Sequence, residues 1–233
     1  MKIGVFSIAD LNLGKQNIKD TRLDKVDSLN KAQKKTYAQI ELVGEESLLD
    51  ADAILTIKES LVDLILKDLE FIETRLSRAE QENENALLNK LKINLEKEIL
   101  VSGIGLNNEE KESISAYGLL TQKPIITIEK EDLGDLDSLL LKSSRMSGFI
   151  SFFTGNERET RAWLIKEGTS AWEAAGIIHS DIQRGFIRAE VISFNDLIQS
   201  GGFSQAKEAG KMRLEQKEYI VQDADIINFR FNN

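Results

Sequence analysis

The tightest constraint on this chain is the punctuation of its last third. Residues 149–153 and 160–165 read as hairpin strands around the turn Thr154-Gly-Asn156. Ser170-Ala-Trp-Glu173 has the spacing of a capping box and opens a helix through His179. Residues 189–194, 219–221 and 226–231 read as further strands, and residues 206–216 as the remaining helix. A hairpin, then a helix, then more strands is the order of a β-grasp, or ubiquitin-like, fold. Eight of the ten Phe and both Trp lie after Gly148. That shift in composition places a domain boundary near Ser144–Gly148, dividing the chain into residues 1–148 and 149–233.

Charge is divided as unevenly as the aromatics. The first 148 residues carry 20 basic and 27 acidic side chains, the rest 10 and 12, for a total of −9. An acidic surface over the first part keeps a protein soluble and argues against a generic nucleic-acid coat; no DNA partner is expected. The chain has no Cys, which excludes disulfides, a thiolate nucleophile and Cys-ligated zinc. No apolar run approaches the roughly 20 residues of a membrane helix, and Met1-Lys-Ile-Gly-Val-Phe lacks a signal-peptide pattern. A cytoplasmic location with no membrane partner is the default expectation.

In the first part, residues 2–8, 37–43 and 52–57 read as strands. Leu61, Leu64, Ile65, Leu69, Ile72 and Leu76 recur at helical steps. Leu87, Leu88, Leu91, Leu95 and Ile99 do the same after a polar turn, giving a helical hairpin over about residues 60–103. Asn107-Asn-Glu-Glu110 is a helix entry, which Pro124 is expected to end ahead of a strand at residues 125–128.

Between the first two strands lies Ala9-Asp-Leu-Asn-Leu-Gly14-Lys15-Gln16. A phosphate loop needs G-x-x-x-x-G-K-[ST], so that backbone N–H groups wrap a phosphate, the lysine neutralises it and the hydroxyl ligates Mg²⁺. Gly14 and Lys15 stand at that spacing. Ala9 replaces the first glycine, Gln16 replaces the hydroxyl, and Asp10 puts a negative charge in a loop meant for anions. Gly14 and Lys15 read either as a residual nucleotide site or as a relic turn with a solvated lysine.

These motifs and the carboxy-terminal run together resemble the YchF (Obg-like) ATPase family. His179-Ser-Asp-Ile-Gln-Arg-Gly-Phe-Ile-Arg-Ala-Glu-Val-Ile-Ser-Phe194 and residues 206–233 look like its TGS-type carboxy-terminal domain. Residues 8–17 resemble its V-G-L-P-N-V-G-K-S-T loop after a two-residue insertion, and Asp20-Thr-Arg-Leu-Asp24 resembles its D-P-R-L-D. Ile40-Glu-Leu-Val-Gly44 is similar to the strand ending in V-D-I-A-G, without the metal-binding Asp. Thr121-Gln-Lys-Pro124 resembles L-T-x-K-P, but Ile128-Glu-Lys-Glu-Asp132 stands where an asparagine-rich base-reading loop should follow. The family's first switch and its final strand and helix before Phe149 look absent. In the carboxy-terminal part the departures are small, Gln216 and Ala224 each replacing a family glycine. The resemblance implies an α/β plus α+β chain: a truncated P-loop-type α/β domain with an inserted helical hairpin, then a β-grasp TGS domain.

Two candidate sites remain. Gly14 and Lys15 would hold ATP or GTP, although no cofactor and no hydrolysis are expected from so altered a loop. Arg184, Arg188, Lys207, Lys211, Arg213 and Lys217 can hold RNA phosphates, with Phe186 or Tyr219 to stack on a base. Lys207, Lys211 and Lys217 would share a helical face. Against this, Glu208, Glu215 and Glu218 are interleaved as on any charged surface. His179 reads as a helix-terminal residue, and Trp163 and Trp172 as core. The functional expectation is a non-catalytic binding protein engaging ribosome, RNA or a translation-associated protein. The alternatives are a weak nucleotide binder and a purely structural partner.

Overall fold

The computed structural model describes residues 1–9 and 11–232; Asp10 of the candidate phosphate loop lies outside the described residues, as does Asn233. The chain begins β1 (Lys2–Phe6), β2 (Gly14–Ile18), α1 (Thr21–Asn30), β3 (Lys34–Thr36), β4 (Ala38–Val43) and β5 (Ala53–Ile57). Next come α2 (Leu61–Leu76), α3 (Glu82–Leu95), α4 (Asn108–Ile114), β6 (Ile125–Ile128) and α5 (Leu136–Met146). The last part runs β7 (Phe149–Gly155), β8 (Glu159–Lys166), α6 (Ala171–Ile178), α7 (Ser180–Arg184) and β9 (Phe186–Ile192). It closes with α8 (Phe194–Ser200), α9 (Phe203–Glu208), β10 (Arg213–Glu215) and β11 (Ile226–Phe231).

These elements form two compact units, residues 1–15 with 41–136 and residues 16–40 with 137–233. The single cut after residue 148 does not coincide with this division. Residues 16–40 and α5 precede that cut in sequence, yet they pack with the carboxy-terminal residues beyond it.

In the first unit β1 is central, parallel to β4 on one side and β5 on the other, with β6 parallel beyond β5. The strands β1 and β5 are apolar on both faces, as buried parallel strands are. Gly4 lets the 3₁₀ turn after β4 pack closely on β1: a Cβ would lie 2.5 Å from Leu48 Cδ2 and push that side chain aside. The expected hairpin is present as α2 and α3, which bury Ile65, Ile72, Leu87, Leu88, Leu91 and Leu95 in one cluster. Asp68, on α2, is buried and accepts from the Leu120 and Thr121 N–H groups, each at 2.8 Å, and from the Thr121 hydroxyl at 2.6 Å. Burial pushes its carboxyl upward and those three donors only partly offset the push. α4 has the expected capping box at Asn107 and Glu110, but it ends at Ile114 and a left-handed Gly118, well before Pro124.

The second unit is a six-stranded sheet, order β10-β9-β11-β7-β8-β3. β7 and β8 form the expected hairpin, β11 lies parallel to β7, and β9 runs antiparallel to β11. One face buries Phe152, Ile165, Ala189, Val191, Ile227 and Phe229 under α6, whose capping box at Ser170 and Glu173 is present. α1 packs against β7 and β8 on the other face. Arg22 on α1 donates to Asp20 and Asp223, both at 2.7 Å, and lies over the Phe153 ring. The D-x-R-L-D segment is thereby part of this unit's packing.

Three further sequence expectations differ from the structure. Residues 206–216 are not one helix: α9 stops at Glu208, Gly210 adopts φ 69°, and Arg213–Glu215 form the edge strand β10. Residues 219–221 supply a single bridge, Ser170 with Ile220, rather than a strand. Trp172 is 44% exposed and so is not core, while Trp163 is half-buried and stacked on Phe152.

Candidate phosphate loop and basic surface

In an open α/β sheet, ligands are taken up beyond the carboxyl ends of the strands. Here that place is the groove beyond β1 and β4, about 560 Å³, lined by Ser7, Ile8, Ala9, Leu11 and Leu13 and by Gly44, Glu45 and Glu46. None of those side chains is a cation and two are carboxylates. The Ser7 N–H, a backbone donor that could meet a phosphate, donates instead to Glu45 Oε1 at 3.1 Å. Ser7 has φ 55°, so the left-handed residue of this turn is Ser7, and the expected cost at Ala9 falls there instead.

Gly14 and Lys15 do not sit between a strand and a helix start. They begin β2, five extended residues with Lys15 exposed, and α1 begins only at Thr21. Gly14 has φ 102°, a conformation that favours glycine. The G-K pair keeps the spacing of a phosphate loop, but the segment it opens is a strand. Lys123 is also spent on the fold, donating to the Leu49 and Ala51 carbonyls at 2.8 and 2.5 Å. These residues do not fit a Mg²⁺–nucleotide complex.

A larger hollow, about 770 Å³, lies among α2, α3 and α4. Two ion pairs lie within it, Arg75 with Glu84 at 2.7 Å and Lys90 with Glu110 at 2.8 Å, while Glu109 adds a further carboxylate.

The six candidate cations of the second unit are not brought together. Lys207 is on α9, while Lys211 lies in the turn after it and pairs with Asp196 at 3.1 Å. Lys217 is beyond β10 and 4.0 Å from Glu218, so the shared helical face does not exist. Arg213 is held by Glu215 at 3.3 Å and donates to the Tyr219 hydroxyl at 2.9 Å. Burial pushes that hydroxyl far up, with the Asp225 hydrogen bond and charge adding to it. Arg184 pairs with Asp181, and His179 caps α7 by accepting the Asp181 N–H at 3.1 Å. Arg188 is exposed on β9 directly opposite Arg230 of β11. Sequence reasoning missed Arg230, and only the strand register reveals it. Arg230 is paired with Glu190, which also accepts from Asn228 at 2.7 Å. Burial acts to raise the Glu190 carboxyl, but the bonds from Arg230 and Asn228, with the charges of Arg230 and Lys207, hold it below its usual range.

Comparison with known proteins agrees with this architecture. A family model of YchF GTPase carboxy-terminal domains, described as "Protein of unknown function (DUF933)", matches residues 149–232. "Ribosome-binding ATPase YchF" of Bacillus subtilis is 35% identical over 246 aligned positions, which cover 78% of this chain and 67% of the relative. The protein of that name from Escherichia coli O157:H7 is 47% identical over 97 residues, 42% of this chain and 27% of its own. The chain spans about two thirds of the length of the curated relatives it matches most extensively. The solved Schizosaccharomyces pombe YchF GTPase superposes with TM-score 0.77 at 18% identity, over 99% of this chain and 97% of that one. With the two-sheet architecture and this extent of identity in hand, the chain belongs to the YchF family.

Proposed function

We propose that this chain is a non-hydrolysing YchF-family binding protein that engages the ribosome, RNA or a translation-associated protein through its second unit, read here as a TGS-like β-grasp domain. The carrying observation is the Ser7 N–H bound by Glu45 in a groove with no cation among its described lining side chains. A phosphate entering there would have to displace a carboxylate and then sit beside it, which the electrostatics oppose. The names of the relatives, which include ribosome binding, support the partner class. Among the described residues no helix is long and apolar enough to cross a membrane. Co-sedimentation with ribosomes, and RNA binding in moderate salt, test the reading; absence of both would refute it.

The relatives' names also include ATPase, which favours a second reading: a nucleotide binder that retains Gly14 and Lys15. Thermal-shift titration with ATP, ADP and GTP, with and without Mg²⁺, separates the two. Stabilisation that disappears in Lys15→Ala would support the second reading, and no shift is expected under the first.

A further inference from the structure

We propose that the exposed ends of β9 and β11 form a single-stranded RNA site, with a phosphate held by Arg188 and Arg230 and a base in the adjoining groove. The inference rests on the RNA-binding reading above and gives it a location. Arg188 and Arg230 are direct cross-strand partners, and like charges so placed destabilise a sheet. Glu190, two residues along β9 on the same face and opposite Asn228, is 8% exposed and already accepts from Arg230 and Asn228, so it orients Arg230 without compensating Arg188. A positive pair kept at a cost to the fold is explained by an anion from outside.

The groove decides which anion. It holds about 410 Å³ on the same face, two residues or roughly 7 Å along β9 from Arg188, with Phe203 and Met212 as walls. Its amides offer both kinds of partner. Asn30 donates through Nδ2 to the Asn156 carbonyl and to Thr160, leaving its Oδ1 to accept. Asn156 accepts through Oδ1 from Arg158 and Glu159, leaving its Nδ2 to donate. Such a surround suits the edge and face of a base. An acidic peptide would instead meet Glu157 and Glu190 in the groove.

The test is fluorescence anisotropy of a short labelled single-stranded RNA against the whole chain, as a function of salt. Arg188→Glu replaces a repulsive pair by an attractive one, so the variant is expected to melt no lower than wild type while binding RNA at least about tenfold more weakly. Its salt slope should fall by about 0.7 for the lost phosphate. Phe203→Ala, which removes a groove wall, should weaken RNA binding several-fold and leave the slope unchanged. Wild-type affinity in Arg188→Glu would overturn the site, and if wild type still binds RNA or ribosomes the broader reading survives. No RNA or ribosome binding by wild type would overturn both. Retained RNA binding with loss of binding to polyglutamate would reassign the surface to an acidic protein and so overturn the RNA proposal.

Discussion

The groove beyond β1 and the outer ends of β9 and β11 handle spare polar groups in opposite ways. In the first unit they are consumed internally: Ser7 N–H by Glu45, Lys123 by two carbonyls, and the Asp68 carboxylate by three donors. In the second unit a cation is left over, because Arg188 faces Arg230 and the neighbouring Glu190 is already committed to Arg230 and Asn228. The parallel sheet around β1 holds its shape through Ile3, Phe6, Ile54 and Leu55, which do not line that groove, and through Val5, which does. The core of such a sheet and the groove at its strand ends draw largely on different residues, so one can change with little effect on the other.

The comparison depends first on the second unit having a core of its own. Phe152 is fully buried, stacked on Trp163 and edge-on to Phe229. Phe152→Ala should cost about 3 to 5 kcal/mol in urea unfolding. A loss below about 1 kcal/mol would mean that core is not cooperative.

Arg22→Ala sharpens the claim that residues 16–40 belong with the later chain. It strands the buried Asp20 and the partly exposed Asp223, so about 2 to 3 kcal/mol should be lost. Burial acts to raise the Asp223 carboxyl, but the Arg22 hydrogen bond and charge overcome that and hold it below its usual range. A depressed carboxyl contributes stability above the unfolded value, near pH 4, and loses it as pH falls through the lower folded value. Chemical unfolding between pH 6 and about 3 should show that acid-linked loss in wild type and a smaller one in the variant.

In the first unit, Asp68→Asn turns an acceptor into a group that must present N–H to N–H. About 2 kcal/mol should be lost, with the change visible as faster amide exchange at Leu120 and Thr121. The smallest effect has the opposite sign. Ser7→Gly relieves a left-handed backbone at an exposed position and should stabilise by about 1 kcal/mol.

What was legible in the sequence was local. The β7–β8 hairpin, the capping boxes at Ser170 and Asn107, and the periodicities of α2 and α3 each lie within a few residues of their own signal. The resemblance carried the family. Contacts distant in sequence were not legible, such as Ser7 with Glu45 or Arg22 with Asp223, 201 positions away. Nor was the Arg188–Arg230 pair, which exists only once β9 and β11 are in register. Two errors came from trusting a pattern across a glycine. Ala206-Lys-Glu-Ala reads as helix up to the left-handed Gly210, and Gly14-Lys15 reads as a loop although it is strand.

Release of inorganic phosphate from ATP and GTP with Mg²⁺, by the whole chain with and without ribosomes, tests the central claim most directly. The account predicts no turnover above the protein-free blank under either condition, and no difference between wild type and Lys15→Ala. Steady multiple turnover that vanishes in Lys15→Ala would contradict it.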